Sequence, residues 1–245
     1  MSDDTGTDGC PPPPAEVLDA AYGAFSAAVA TMDNQLSWLP TGCAGWSVRD
    51  LLLHCLEDAQ RGPVALHTPA GRPPDRDAVT SWQGLRRDGA VDAIGTRGFV
   101  RVSAGLFLRV DQLRDLYPGT AAAVTHAARR ASARAPVAPQ GHVLSAGDVM
   151  RRPAVEATIH HLDLVVGLTG TPGPSAAGHG EVRRTLDGLL GRRVPADWDD
   201  TRYARAATGR APLSDTDRDR LGPMAARFPL LAQPPRTRRI AKLRG

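Results

Sequence analysis

The sequence predicts a mainly α-helical protein: a four-helix bundle with a small C-terminal helical extension. Three observations carry this. Apolar residues recur at helical spacing over long stretches. Ser47, Ser145 and Ser214 are each followed three residues later by an aspartate, the near capping-box pattern of a helix start. Breaks containing Pro and Gly separate the periodic stretches.

Residues 1–14 are polar and close in Pro11-Pro-Pro-Pro14, a disordered lead. The bundle is expected over residues 15–170. Its first helix runs from Ala15 to Leu36 on the stripe Val17, Leu18, Ala21, Phe25, Ala28, Val29 and Met32, before Leu39-Pro-Thr-Gly42. The second starts at Ser47 and stops near Arg61, before Gly62-Pro63. A third spans Ser81 to Ile94, with Trp82, Leu85, Val91 and Ile94 as a loose stripe. Arg97 to Ser103 reads as a strand or an extended connection. Val110–Tyr117 and Thr120–Arg134 read as two helices parted by Pro118-Gly119. The fourth bundle helix starts at Ser145 or, with Pro153 at its first turn, near Arg152. It ends at Gly167 or Gly170. A Pro/Gly/Ser linker follows at 171–180, then a helical extension at 181–232 and a basic tail at 233–245. Within the extension, Glu181–Leu190 is a short helix and Ser214 caps a last one, Asp215–Phe228.

The chain has 245 residues, enough for one domain with an appendage and a real core. Its 42% hydrophobic and 23% charged residues match an ordinary globular protein. The net charge of +4 is spread along the chain except for the cluster Arg236 to Arg244, read as a solvated tail. No basic stripe interleaves with aromatics, so nucleic acid is not an expected partner. The N-terminus is acidic and polar rather than a signal peptide, and no apolar run reaches the ~18 residues of a membrane span. Three unpaired cysteines, Cys10, Cys43 and Cys55, fit a reducing compartment. A cytoplasmic protein without a membrane partner is expected.

The chemistry concentrates in Glu156-Ala-Thr-Ile-His160-His161-Leu-Asp163. A carboxylate and an imidazole four residues apart share one helix face, the spacing of two ligands to one metal ion. His54 on the second helix is the candidate third ligand. Three such ligands leave a position open for water or substrate, as in catalytic zinc sites; nickel, iron or manganese would also suit the donors. Asp163 and Asp58 are candidates to hold the ligating rings, with plain helix solubility as their alternative. His161 lies roughly 100° around the helix from His160 and reads as a packing or rim residue. His67, His126, His142 and His179 have no visible partner. Cys55, beside His54, reads as a buried and inert thiol. Neither a phosphate loop, a Gly-x-Ser-x-Gly elbow nor a Cys-x-x-Cys pair occurs.

Two motifs together resemble a known family. Gly45-Trp-Ser-Val-Arg-Asp-Leu-Leu-Leu-His54, followed about a hundred residues later by Glu156-x-x-x-His160-x-x-Asp163-Leu, resembles the mycothiol-dependent maleylpyruvate isomerases, which belong to the DinB-like metal-binding four-helix bundles. Thr208 to Arg218, with Arg227-Phe-Pro-Leu-Leu231, resembles a C-terminal segment of actinobacterial members. The resemblance implies His54, Glu156 and His160 as ligands of a divalent metal such as zinc, and mycothiol as a low-molecular-weight thiol cofactor. The implied activity is cis–trans isomerisation of a small electrophilic or acidic metabolite, or transfer of the thiol to it. Arg210 is an implied contact for a substrate carboxylate, with a surface turn as its alternative. Two rival readings stay open: a thiol-independent biosynthetic enzyme or binding protein on the same bundle, and a helical protein whose metal is structural.

Overall fold

The computed structural model describes residues 11–83, 98–168, 170–195 and 197–231. Four long helices dominate. Helix α1, Pro14–Val29, opens with Pro14 in its first turn, where a missing N–H costs nothing. It ends well short of the expected Leu36, and a 3-10 turn at Leu36–Trp38 follows. Helix α2, Val48–Leu66, starts after Ser47 as the sequence predicts, with the Asp50 carboxylate accepting from the Ser47 N–H at 2.9 Å and its hydroxyl at 2.7 Å. It does not stop at Arg61 but runs through Gly62 and Pro63. Gly62 serves helix contact instead of termination: a Cβ there would lie 2.7 Å from Val124 Cγ1.

Helix α3, Val110–Arg130, replaces the two expected helices. Its buried stripe of Val110, Leu113, Tyr117, Ala121, Val124 and Ala128 holds helical spacing straight across Pro118. Burying such side chains, at ~1.5–3 kcal/mol for the larger ones, outweighs the ~3 kcal/mol cost of an interior proline. Residues 98–105 are helical, not extended. Of the helix expected at 81–94, the described part is a 3-10 turn at Thr80–Trp82; the rest lies outside the described residues, as do most of the N-terminal lead and the basic tail.

Helix α4, Ala146–Leu164, begins at the Ser145 cap, whose hydroxyl accepts from Asp148 N at 3.0 Å, and carries Pro153 in its interior. A short antiparallel ribbon, β1 (Pro136–Val137) with β2 (Leu144–Ser145), leads into it. The sequence reading had no signal for a ribbon of two-residue strands.

The bundle is a square in which α1 and α2 each pack against both α3 and α4, so α1 lies across one diagonal from α2 and α3 across the other from α4. Its core gathers Leu18, Phe25, Leu51, Leu52, Leu113 and Tyr117. The extension supplies α5 (Ala176–Leu190), α6 (Asp200–Ala207) and α7 (Asp215–Leu221). Helix α5 starts inside the expected linker, because Ser175 caps it by accepting from Gly178 N at 3.1 Å. The last helix stops at Leu221 rather than Phe228. Gly222, at φ +55°, turns the chain into a 3-10 segment.

Helices α5 and α6 dock on α4 from outside the bundle. A second apolar cluster forms there, in which Val155, Ile159 and Leu162 of α4 meet Val182, Leu186, Leu190, Trp198 and Tyr203. Buried Glu181 ties the two units together by pairing with Arg151 at 2.5 Å and with Arg184. Among the described residues no helix is long and apolar enough to cross a membrane.

Candidate metal centre

Helices α2 and α4 bring His54 and Glu156 each beside His160. The His54 and His160 rings lie 4.8 Å apart, nearly perpendicular at 87°. Glu156 Oε2 stands 3.6 Å from His160 Nε2. That is too long for a hydrogen bond, yet two donors about 2.1 Å from a shared tetrahedral ion stand about 3.4 Å apart. Trp46 backs the His54 ring at 5.0 Å. The ring hydrogen bonds among the described histidines involve His67, His160 and His161 and leave His54 without one.

The opposite side of the His160 ring is fully occupied. Nδ1 donates to Asp163 Oδ2 at 3.1 Å, which turns Nε2 toward Glu156. Asp163 is buried and also receives the fork of Arg210, with Nε to Oδ1 at 2.6 Å and Nη2 to Oδ2 at 2.7 Å. The Cys43 thiol donates to the same Oδ2 at 3.0 Å and lies 3.7 Å from His160 Nδ1. Gly42 sets this approach, since its N–H donates to the Asp163 carbonyl at 2.9 Å.

Burial is the largest influence on each of these charges. For His54 it dominates, and with the charge of His160 it lowers the pKa to about 3, keeping the ring neutral. For His160 burial opposes the charge. The Asp163 and Cys43 hydrogen bonds and the nearby Glu156 outweigh it and raise the pKa to about 10. Burial likewise works against ionised Asp163, but His160 and Arg210 hold its carboxyl well below the usual carboxylate range.

Two sets of side chains therefore share His160. Cys43, His160 Nδ1 and Asp163 are close enough to be considered as ligands. Their atoms are already joined by direct hydrogen bonds, and Arg210 satisfies the carboxylate. The Nε2 side has no such closure: it offers one carboxylate and two imidazoles, all without hydrogen bonds among themselves. Among the described residues, His54, Glu156 and His160 do not bring one ligand atom each within 4.8 Å of one another, as Cys43, His160 and Asp163 do, so the expected donor set is gathered around His160 but not closed to coordination distance. Asp163 in turn holds the ring from behind, the usual arrangement for a ligating histidine.

The remaining candidates fall as follows. Asp58 lies nearest a cation at Arg61, 3.6 Å away, and has no hydrogen bond to His54 among the described residues. Burial and the neighbouring Glu156 raise its pKa. His161 turns away from the ligands: its Nε2 donates to the Pro172 carbonyl at 2.8 Å and its ring packs on Phe25. Cys55 is buried, and burial pushes its thiol up, which keeps it protonated. Arg210 directs its fork to Asp163. The sequence reading passed over Gly42 and Cys43. Their only signal was a Gly and a Cys in the break just ahead of Trp46, and a loop has no periodicity to show what it faces. A cleft of about 460 Å³ in the extension, lined among others by His179, Asp199, Asp200, Arg202 and Arg205, contains none of the candidate ligands.

A family model described as the mycothiol maleylpyruvate isomerase N-terminal domain matches residues 18–165. Among solved structures, the chain is similar to the mycothiol-dependent maleylpyruvate isomerase, with 18% identity and a TM-score of 0.49 over 72% of this chain and 68% of that one. It is similar to a mutant of that enzyme to the same extent, with a TM-score of 0.50. No curated protein sequence matches the chain.

Proposed function

The chain belongs to the mycothiol maleylpyruvate isomerase N-terminal domain family, and from that membership we propose that it is a metal- and thiol-dependent enzyme. Its reaction is cis–trans isomerisation of a small electrophilic metabolite, or transfer of the thiol to one. His54, Glu156 and His160 hold the metal, zinc or another divalent ion, and mycothiol is the thiol. The observation that carries this is the 3.6 Å approach of Glu156 Oε2 to His160 Nε2 beside the His54 ring, which has no hydrogen bond among the described residues.

When bound, a divalent ion at these ligands lowers the pKa of a coordinated thiol and so supplies a nucleophile near neutral pH. The chain's own groups prepare the site. Burial keeps the His54 ring neutral, with the lone pair of one ring nitrogen available. Asp163 holds His160 by Nδ1 and turns Nε2 toward Glu156, where a bound ion would take the place of the Nε2 proton. Glu156 brings a negative charge to a site otherwise built of imidazoles. Three protein ligands leave a position for the thiol, which supports a catalytic over a structural metal. The Cys43 thiol faces the far side of the His160 ring and does not complete the set.

Two measurements test the reading. Elemental analysis should find one equivalent of metal in the wild type and little in His160→Ala. Turnover of maleylpyruvate, or of small electrophiles, should require added mycothiol and fall at least a hundredfold in His54→Ala and Glu156→Ala, about the 2.7 kcal/mol expected for loss of an essential group. Metal-free wild type that takes up no zinc would sink the proposal. Turnover without a thiol would sink its thiol half.

A further inference from the structure

We propose that Arg210 is a positioning residue for the metal centre, through which the C-terminal extension fixes Asp163 and, through Asp163, the His160 ring. This rests on the ligand assignment of the preceding section. Arg210 lies outside the stretch matched by the family model, residues 18–165, yet its guanidinium ends against a carboxylate that touches a candidate ligand.

The geometry assigns the role. Four hydrogen bonds converge on the Asp163 carboxylate: one on Oδ1 from Arg210 Nε, and three on Oδ2 from Arg210 Nη2, His160 Nδ1 and Cys43 Sγ. Arg210 alone bridges both oxygens, so it alone fixes the rotation of the carboxylate. A planar guanidinium does this through two parallel bonds; a lysine ammonium cannot. The Asp163 side chain is 2% exposed, so the fork satisfies a carboxylate that solvent barely touches.

The arm that carries Arg210 is itself held. Arg210 N donates to the Arg205 carbonyl at 2.8 Å as the chain leaves α6, and Leu230 N donates to the Ala207 carbonyl at 2.7 Å. Gly209, at φ +73°, makes the turn between them. The guanidinium thus transmits the position of the docked extension to the ligand helix. Its fork faces Asp163, so Arg210 acts on the ring behind the metal and not on substrate.

Zinc affinity, measured by competition with a chromogenic chelator, tests this without turnover. The proteins are wild type, Arg210→Lys, Arg210→Gln, Asp163→Asn and the double variant, each checked for helical circular dichroism. Arg210→Gln should weaken zinc binding about 10- to 100-fold, the usual effect of losing support behind a ligand. Arg210→Lys keeps the charge without the fork and should recover only part of the loss. In the Asp163→Asn background, Arg210→Gln should add little, because the two act in series. Cobalt-loaded Arg210→Gln should show displaced visible bands, which a remote loss of stability would not produce.

Wild type that binds no zinc overturns the ligand assignment and this role with it. Wild type that binds zinc while Arg210→Gln binds it equally well overturns the positioning role alone. A full further loss in the Asp163→Asn background also overturns it, since Arg210 would then act by another route. If Arg210→Gln fails to fold, Arg210→Lys decides the question: wild-type affinity there would show that the fork is not needed.

Discussion

Gly42 and Asp163 approach more closely than any larger residue at position 42 allows. A Cβ on Gly42 would lie 2.6 Å from Asp163 Oδ1 and 3.0 Å from its Cα. The oxygen cannot swing aside, because Arg210 holds it, and the Cα belongs to a packed helix. Gly42→Ala should therefore displace the loop that carries Cys43, costing about 1–3 kcal/mol as overpacking does. It should also weaken metal binding. Denaturant unfolding and zinc titration of the variant check both; unchanged values would show that the loop yields freely.

Glu181 is the buried hinge pin between bundle and extension. Its side chain is 3% exposed and faces Arg151, which is 11% exposed. Arg184, the second partner, is more open to solvent. Glu181→Ala would leave Arg151 buried without a counter-charge, and removing one member of such a pair costs about 3–5 kcal/mol. The expected outcome, read by urea unfolding, sits at the lower end of that range because solvent reaches Arg184. A loss below about 1 kcal/mol, the level of an exposed pair, would show that water already reaches the cluster.

Asp217 gives an acid-sensitive contribution to stability. The Ser214 hydroxyl, the Arg202 guanidinium and the Ser214 N–H hold its carboxyl well below its ordinary value of 3.8. The folded protein thus binds this proton more weakly than the unfolded chain. The ionised carboxylate stabilises the fold at neutral pH, and that gain drains away as pH falls below about 4. Unfolding free energies of wild type and Asp217→Asn should differ at pH 7 and converge toward pH 2.5. A constant difference across that range would rule out the ionised pair as the cause.

Metal removal should leave the bundle standing. Its core of Leu18, Phe25, Leu51, Leu113 and Tyr117 closes without reference to the ligands. A chelator should reduce the unfolding free energy only by the binding term, about 2.7 kcal/mol at free metal a hundredfold above Kd, with a correspondingly limited drop in melting temperature. Helical circular dichroism at 25 °C should be unchanged. Collapse of that signal would favour the structural-metal reading.

The shared face of Glu156 and His160 was legible because helical spacing is a property of the sequence itself: it needs only α4 to be a helix. The Ser47 and Ser145 caps were legible for the same local reason. What the sequence hid depends on contact at a distance. Pro63 and Pro118 read as breaks, because their cost is local while the packing that overrides it, such as Gly62 on Val124, comes from another helix. The Arg210–Asp163 fork joins residues 47 positions apart. Nothing in the spacing of either residue marks the other, and a family resemblance points Arg210 toward substrate instead.

Helix α4 faces the bundle on one side and the extension on the other, and 14 of its 19 residues are buried. It therefore has almost no surface on which to vary. A saturation library of this chain, scored for folded protein alone, should show α4 as its most intolerant segment even at positions with no part in the chemistry. The candidate ligands Glu156 and His160 would then stand out only when the same library is scored a second time for metal. Purifying selection along α4 would report mostly on its two-sided burial, and the signature of catalysis would be the difference between the two scores.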